Sequence, residues 1–218
     1  MTDKHAPILD FDPAIAAIIE PQELHPAIEG LPHRCVITWM GDAFSQFENS
    51  HDVTERHRFT LETVVNPIYE FDVEGEKILV TMANVGAPAA AALFEALIAI
   101  GCTDFVAIGS SGGLVPELPP GTVVVPDAAI RDEGVSYHYA PASLMAYPDP
   151  GMQTTVHDAY QAAGNRVARG IAWTTDAFYR ETSAKVAQRV AQGASDVDME
   201  LASLAAIASF RNVRLGHA

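Results

Sequence analysis

Cations are scarce in this 218-residue chain: Lys and Arg total 13 against 28 Asp and Glu, a formal net charge of -15. A surface this acidic repels phosphate backbones and anionic lipid, which argues against nucleic-acid and membrane-surface partners. Cysteine is scarcer still, at two. Cys35 and Cys102 lie in the apolar runs CVITWM and IGCTDFVAIG. They read as buried free thiols rather than a disulfide framework, and point to the cytoplasm. The opening residues MTDKHAPILDFDP lack the basic segment and apolar core of a secretory signal. The longest apolar run, Val85 to Phe94, contains Pro88 and stops at Glu95. That is far short of the ~18–20 residues a membrane span needs. What the chain does have is apolar material: hydrophobic residues make up 49% and charged residues 19%. That excludes a disordered chain and suffices for one core. The length suits one domain, and no repeat or linker divides it.

Pro7, Pro13, Pro21, Pro26 and Pro32 break up the first thirty residues. They read as an extended arm with a helical turn or two around Ala14–Ile19. Arg34–Met40 is a compact β-rich run, and Phe44–Arg58 is polar, either helix or loop. Ile68–Val73 and Lys77–Asn84 flank Glu74-Gly75-Glu76, the signature of a hairpin. Pro88 suits a first helical turn, Ala89–Ile100 are strong helix formers, and Gly101 is a natural stop. Strands are expected at Asp104–Ile108, Thr122–Val125, Val167–Thr174 and Asp196–Val197. Helices are expected at Gly151–Ala163, Ser183–Gln192 and Met199–Phe210. Alternating strands and helices, some strands wholly apolar, argue an α/β fold with a mostly parallel sheet.

Four segments carry polar chemistry. The buried strand Asp104–Ile108 runs into Gly109-Ser110-Ser111-Gly112-Gly113. Such a turn offers hydroxyls and backbone N–H groups at the strand end where α/β sheets bind ligands. It is neither a Walker loop nor GxGxxG, and an ordinary βα turn explains it equally well. In Thr174–Thr182 (TTDAFYRET), Phe178 or Tyr179 can stack on a planar ring, and Asp176 or Arg180 can bond its edge. The bland alternative is a capped helix start with aromatics in the core. Asp196, Asp198 and Glu200 precede an apolar helix. A carboxylate there can accept both hydroxyls of a sugar diol, or simply answer the helix dipole. No partner ligands for a metal are evident, and none is expected. Arg131–Pro141 (RDEGVSYHYAP) is too polar and aromatic for a plain linker, though a lone loop histidine such as His138 is more often structural.

In order along the chain, VGAP, IGSSGGL, VVVPDAAIRDEGVSYHY, TTDAFYRET and VDME resemble the nucleoside phosphorylase superfamily over roughly residues 34–215, within it a uridine-phosphorylase-like subgroup. The resemblance implies a three-layer α/β/α sandwich with a mixed, partly barrel-like central sheet. Residues 1–33 would be an arm of the same domain, and 34–218 the phosphorylase-like domain. It implies cleavage of the N-glycosidic bond of a uridine-like or purine nucleoside, with phosphate as co-substrate and no other cofactor. Ribose would lie on Met199, Glu200 and Ser110. The base would lie on Phe178, Gly112 and Asp176. Phosphate would lie on Gly41 and Ser110, with Arg131 or Arg180. A homodimer or hexamer of dimers is implied, with His5 or Arg58 reaching a neighbour's site.

Three departures qualify that expectation. Relatives place arginines where this chain has Ala107 and Ser45, so hydrolysis of the same bond stays open as an alternative. They also continue with a strand, an acidic residue serving the leaving base, and a closing helix. The sequence is therefore expected to be cut short, with the catalytic acid beyond residue 218. Loss of that acid would leave a non-catalytic nucleoside-binding protein, the third reading.

Overall fold

The structure, a computed structural model, describes residues 6–218. The arm holds a 3₁₀ turn at Pro7–Leu9 and a one-turn helix, α1 (Pro21–Leu24). Residues 14–19 are not helical: the turn of helix starts instead where Pro21 presets the first residue. The arm touches the body where Ile28 N donates to Ile100 O at 3.1 Å and where Leu31 is buried.

The body opens with β1 (Arg34–Thr38), α2 (Gly41–Ser50), β2 (Thr54–Leu61), β3 (Val64–Val73) and β4 (Glu76–Met82). The polar stretch expected as helix or loop thus contains both a helix and a strand. In β2 only Phe59 is buried, so no apolar alternation announces it. It forms because β3 offers an antiparallel edge. The β3–β4 turn is the expected hairpin, with Glu74 (φ 53) and Gly75 (φ 87) in consecutive left-handed conformations and Asp72 Oδ1 accepting Gly75 N at 2.8 Å.

Next come α3 (Ala87–Ile100), β5 (Asp104–Ile108), β6 (Gly112–Gly113), β7 (Val123–Asp132) and β8 (Met145–Ala146). Then follow α4 (Pro150–Ala162), β9 (Val167–Thr175), α5 (Ser183–Ala191), β10 (Asp196–Asp198), α6 (Leu201–Arg211) and β11 (Arg214–His217). β7 extends well past Val125, carrying Pro126 at a break in its pairing with β9 between Pro126 and Ala128. A bulge removes the need for the N–H that proline lacks. β11 lies parallel to β5, with Leu215 opposite Phe105 and His217 opposite Ala107. The strand expected only to begin at this point is therefore formed over Arg214–His217.

The strands divide between two mixed sheets, ordered β11-β5-β1-β4-β3-β2 and β6-β10-β9-β7-β8. The glycine turn after β5 is the crossing point, since β5 belongs to the first sheet and β6 to the second. In the core, α3 and α6 pack on each other and are buried almost all round, and Phe94 meets Phe105 edge to face at 4.5 Å. Cys35 and Cys102 are buried free thiols in this core.

Candidate functional site

The crossing point opens a cavity of about 820 Å³ at the carboxyl ends of β1, β5, β10 and β11. Strand ends collect there because both sheets terminate beside the turn, the place where open α/β folds bind ligands. Ser110, Gly112, Phe178, Met199 and Glu200 all line it. Five residues assigned by sequence to sugar, base or phosphate thus come together from three separate segments.

Glu200 stands at the N-cap position of α6 and reaches across to α3. Its Oε1 accepts Gly86 N at 2.6 Å and its Oε2 accepts Met199 N at 3.3 Å. Burial pushes its carboxyl up to about 7, reinforced by Asp198 and Asp176 and opposed by the two backbone N–H donors. Asp198 has the other role weighed for these acids. Its Oδ2 accepts Leu201 N at 2.7 Å and Glu200 N at 3.2 Å, capping α6, while Thr174 Oγ1 donates to its Oδ1 at 2.6 Å. Thr174 Oγ1 also accepts Ala202 N at 3.0 Å, so β9 and β10 together seat the first turn of α6. Asp196 lines the same cavity, accepts Ser195 Oγ at 2.9 Å, and is pushed up to about 6, chiefly by burial.

Gly112 is held to glycine by packing: a Cβ there would fall 3.0 Å from Val197 Cγ1. Phe178 sits on a 3₁₀ turn (Phe178–Arg180), 49% exposed, with the Tyr179 ring 4.1 Å away. An aromatic left this open beside a cavity is available to stack on a ligand ring.

Other assigned residues lie elsewhere. Arg131 is 4% exposed, and its guanidinium donates to Ser136 Oγ, Pro141 O, Ser143 Oγ and Ala140 O at 2.6–3.2 Å. Those bonds fold the 133–143 loop and occupy four of the five guanidinium N–H groups, and Arg131 does not line the cavity. Arg180 is exposed and does not line the cavity, though Phe178 and Glu181 on either side of it do. Asp176 is turned to the same loop, its Oδ2 accepting Gly134 N at 2.8 Å, and does not line the cavity. Gly41 starts α2, and its neighbour Met40 is the lining residue. Arg58 is exposed on β2 and paired with Glu55 at 2.7 Å. His5 falls outside the described residues. Arg56, another candidate cation, is bound to Glu70.

The described residues lining the cavity therefore include no Lys or Arg. They do include Trp39 and His217, which sequence reading passed over. Trp39 follows β1 directly and is pinned by Nε1 to Asn84 O at 3.0 Å. Its place at a strand end was the available signal. His217 had none, because only the register of β11 on β5 brings it to the cavity. No group of three or more His, Cys, Asp or Glu side chains placed to hold a metal occurs among the described residues.

Comparison with known proteins agrees with this geometry. The profile of the Phosphorylase superfamily matches residues 29–217. A uridine phosphorylase of Treponema pallidum is 33% identical over 150 residues, 64% of this chain and 58% of that protein. A guanosine phosphorylase of Halorubrum lacusprofundi is 28% identical over 153 residues, 70% of this chain and 62% of that one. The chain thus spans less than two thirds of the length of these relatives. The crystal structure of uridine phosphorylase from Vibrio fischeri ES114 superposes with a TM-score of 0.76 at 20% identity, covering 88% of this chain and 82% of that one. With the profile spanning nearly the whole body and the same fold in a solved structure, this chain belongs to the Phosphorylase superfamily.

Proposed function

We propose that this protein is a nucleoside phosphorylase, cleaving the N-glycosidic bond of a nucleoside with phosphate to give free base and sugar 1-phosphate. The observation that carries the reading is Glu200: a buried carboxylate fixed at 2.6 Å on Gly86 N, beside Met199, facing the glycine turn across one cavity. Family membership and relatives named uridine and guanosine phosphorylase support it. Those two names cover a pyrimidine and a purine, so the proposal is a uridine-like or purine nucleoside. Phosphate is the only co-substrate proposed, with no further cofactor.

Ionised Glu200 accepts the ribose hydroxyls, and Met199 packs on the apolar face of the sugar. As the bond to the base lengthens, the sugar gains oxocarbenium character. The carboxylates of Asp196, Asp198 and Glu200, themselves buried, favour that developing positive charge. Phe178 stacks on the base, and Ser110 with the turn's N–H groups meets the phosphate and ribose oxygens. The test is a nucleoside panel (uridine, thymidine, inosine, adenosine, methylthioadenosine) with the full chain, with and without phosphate, identifying the sugar product. Sugar 1-phosphate formed only with phosphate supports the reading. Free sugar at an equal rate without phosphate replaces it with hydrolysis, the second reading, which the lack of Lys or Arg in the described cavity lining favours.

The chain is proposed to act in the cytoplasm, as one domain with its arm, and as a homodimer or hexamer of dimers. No helix among the described residues is long and apolar enough to cross a membrane. The arm leaves Ile15, Ile18 and Ile19 at least 69% exposed, apolar surface that a neighbouring copy would cover. A monomeric mass by light scattering would remove the oligomer.

A further inference from the structure

The cavity is unbalanced. Glu181, Asp196, Asp198 and Glu200 line it, and no described Lys or Arg does. A phosphate ion entering there finds neutral donors on the glycine turn but a surplus of negative charge, when it also needs positive charge. His217 is the lining side chain among the described residues that can carry a positive charge.

Its surroundings leave the ring free. His217 is 7% exposed, and its Nδ1 is buried with no hydrogen-bond partner. Its backbone N–H is already taken by Gln153 Oε1 at 2.6 Å. Buried polar atoms almost always find partners, so a buried ring nitrogen without one, on a residue that lines the cavity, calls for an explanation. The register supplies one. His217 stands opposite Ala107 on β5, and the next residue stitches the strands together: Ala218 N donates to Ala107 O, and Gly109 N to Ala218 O, both at 3.0 Å. The ring therefore sits beside the strand from which the glycine turn departs, the wall that also presents Ser110.

Resting on the phosphorolysis reading, we propose that His217 is a further phosphate-contacting side chain of this cavity, beside Ser110, donating a ring N–H to a phosphate oxygen. Burial lowers the ring's affinity for protons, opposed by the charge of Asp198. Against β11, α4 presents neutral Gln153 and β5 presents Ala107. Burial thus disfavours a positive charge on the ring, and an anion bound beside it would favour the protonated form.

The test uses the full chain, varying phosphate and nucleoside separately. His217→Met keeps the volume and removes the donor, while His217→Gln keeps a donor without a charge. The expected result is a rise in phosphate KM of about tenfold or more for His217→Met, the scale of one hydrogen bond to a charged group. Nucleoside KM should stay within about twofold, and His217→Gln should fall between the two. An unchanged phosphate KM overturns the inference, as does a parallel rise of both KM values with a lower melting temperature. If His217→Met does not fold, the phosphate KM of His217→Gln decides. Sugar 1-phosphate from wild type with unchanged variants sinks only the role of His217. Free sugar independent of phosphate sinks phosphorolysis itself, and the phosphate contact with it.

Discussion

Two acidic corners of the second sheet stand one strand apart and are built on opposite terms. Asp132 closes β7, opposite Thr175 of β9, and its Oδ2 accepts Arg189 at 2.9 Å, Trp173 Nε1 at 3.0 Å and Lys185 at 3.3 Å. Both cations also lie near the Trp173 ring, 5.8 and 6.0 Å from its centroid. Burial raises the Asp132 carboxyl, but the Arg189 and Trp173 hydrogen bonds and the two positive charges outweigh it, for a net lowering. Across β9, Asp196 and Glu200 are buried with hydroxyl and backbone donors alone, and both are raised. The contrast shows where a cation-poor chain places its positive charge. Arg189 and Lys185 brace α5, Arg211 holds Glu95 between α6 and α3 at 2.9 Å, and Arg169 holds Asp127 at 2.6 Å. The scaffold receives these cations, and the cavity keeps carboxylates held by hydroxyl and backbone donors alone.

The comparison breaks most visibly at Glu200. Glu200→Gln keeps the shape and removes the charge, so kcat/KM for a nucleoside should fall by about 10²-fold or more, the scale of losing one preorganised electrostatic contact. Its melting temperature should hold or rise, since the raised carboxyl opposes folding at neutral pH. Near-normal turnover would remove the ribose role. In the other corner, Asp132→Asn leaves Arg189 and Lys185 without their anion. Stability should drop by about 1–3 kcal/mol in urea titration, less than for a fully buried pair because Lys185 is partly exposed. Turnover should suffer far less than in Glu200→Gln, and the reverse ranking would contradict the division between scaffold and cavity.

A smaller loss is expected where the corners share β9. Asp198→Ala strips two donors of their cap at α6 and should cost about 1–2 kcal/mol by thermal melting. An unchanged melting temperature would mean the cap is idle. The finest test is pH. Glu200 moves from 4.5 to about 7 on folding, and Asp196 from 3.8 to about 6. Raised carboxyls contribute stability below their unfolded values and lose it as pH rises through the folded ones. The stability that Glu200 and Asp196 contribute should therefore decline between about pH 4 and 7. The decline should be shallower in Glu200→Gln. Asp132, lowered instead, acts with the opposite sign and loses its contribution as pH falls. A stability profile that rises from pH 4 to 7 and is unaffected by Glu200→Gln would refute the assignment of raised carboxyls to the cavity.

Much of the framework was legible in the residues. Pro88 and Gly101 bounded α3, Glu74-Gly75 marked the hairpin, and the apolar run before Gly109 announced β5. The family resemblance put Met199, Glu200, Ser110, Gly112 and Phe178 on one site, and all five line the cavity. The misreadings share a cause. β2 was hidden because an edge strand exposed on both faces leaves no apolar period. The surroundings of Arg131 were not legible, because composition cannot tell an arginine free for an anion from one bonded to Pro141 O and Ala140 O. His217 was missed because its chemistry depends on a partner more than a hundred residues away, Ala107 on β5.

By itself the sequence determined the strand and helix alternation, the family motifs in order, and an acidic protein with few cations to distribute. Periodicity, turn residues and charge totals are local properties, and they survive without coordinates. Only the tertiary structure decided the rest: two sheets crossing at the glycine turn, Asp198 on the helix end and Glu200 in the cavity, Arg189 in the scaffold and His217 on the wall. Those outcomes depend on which strand ends meet and which buried groups find partners, and long-range packing settles both.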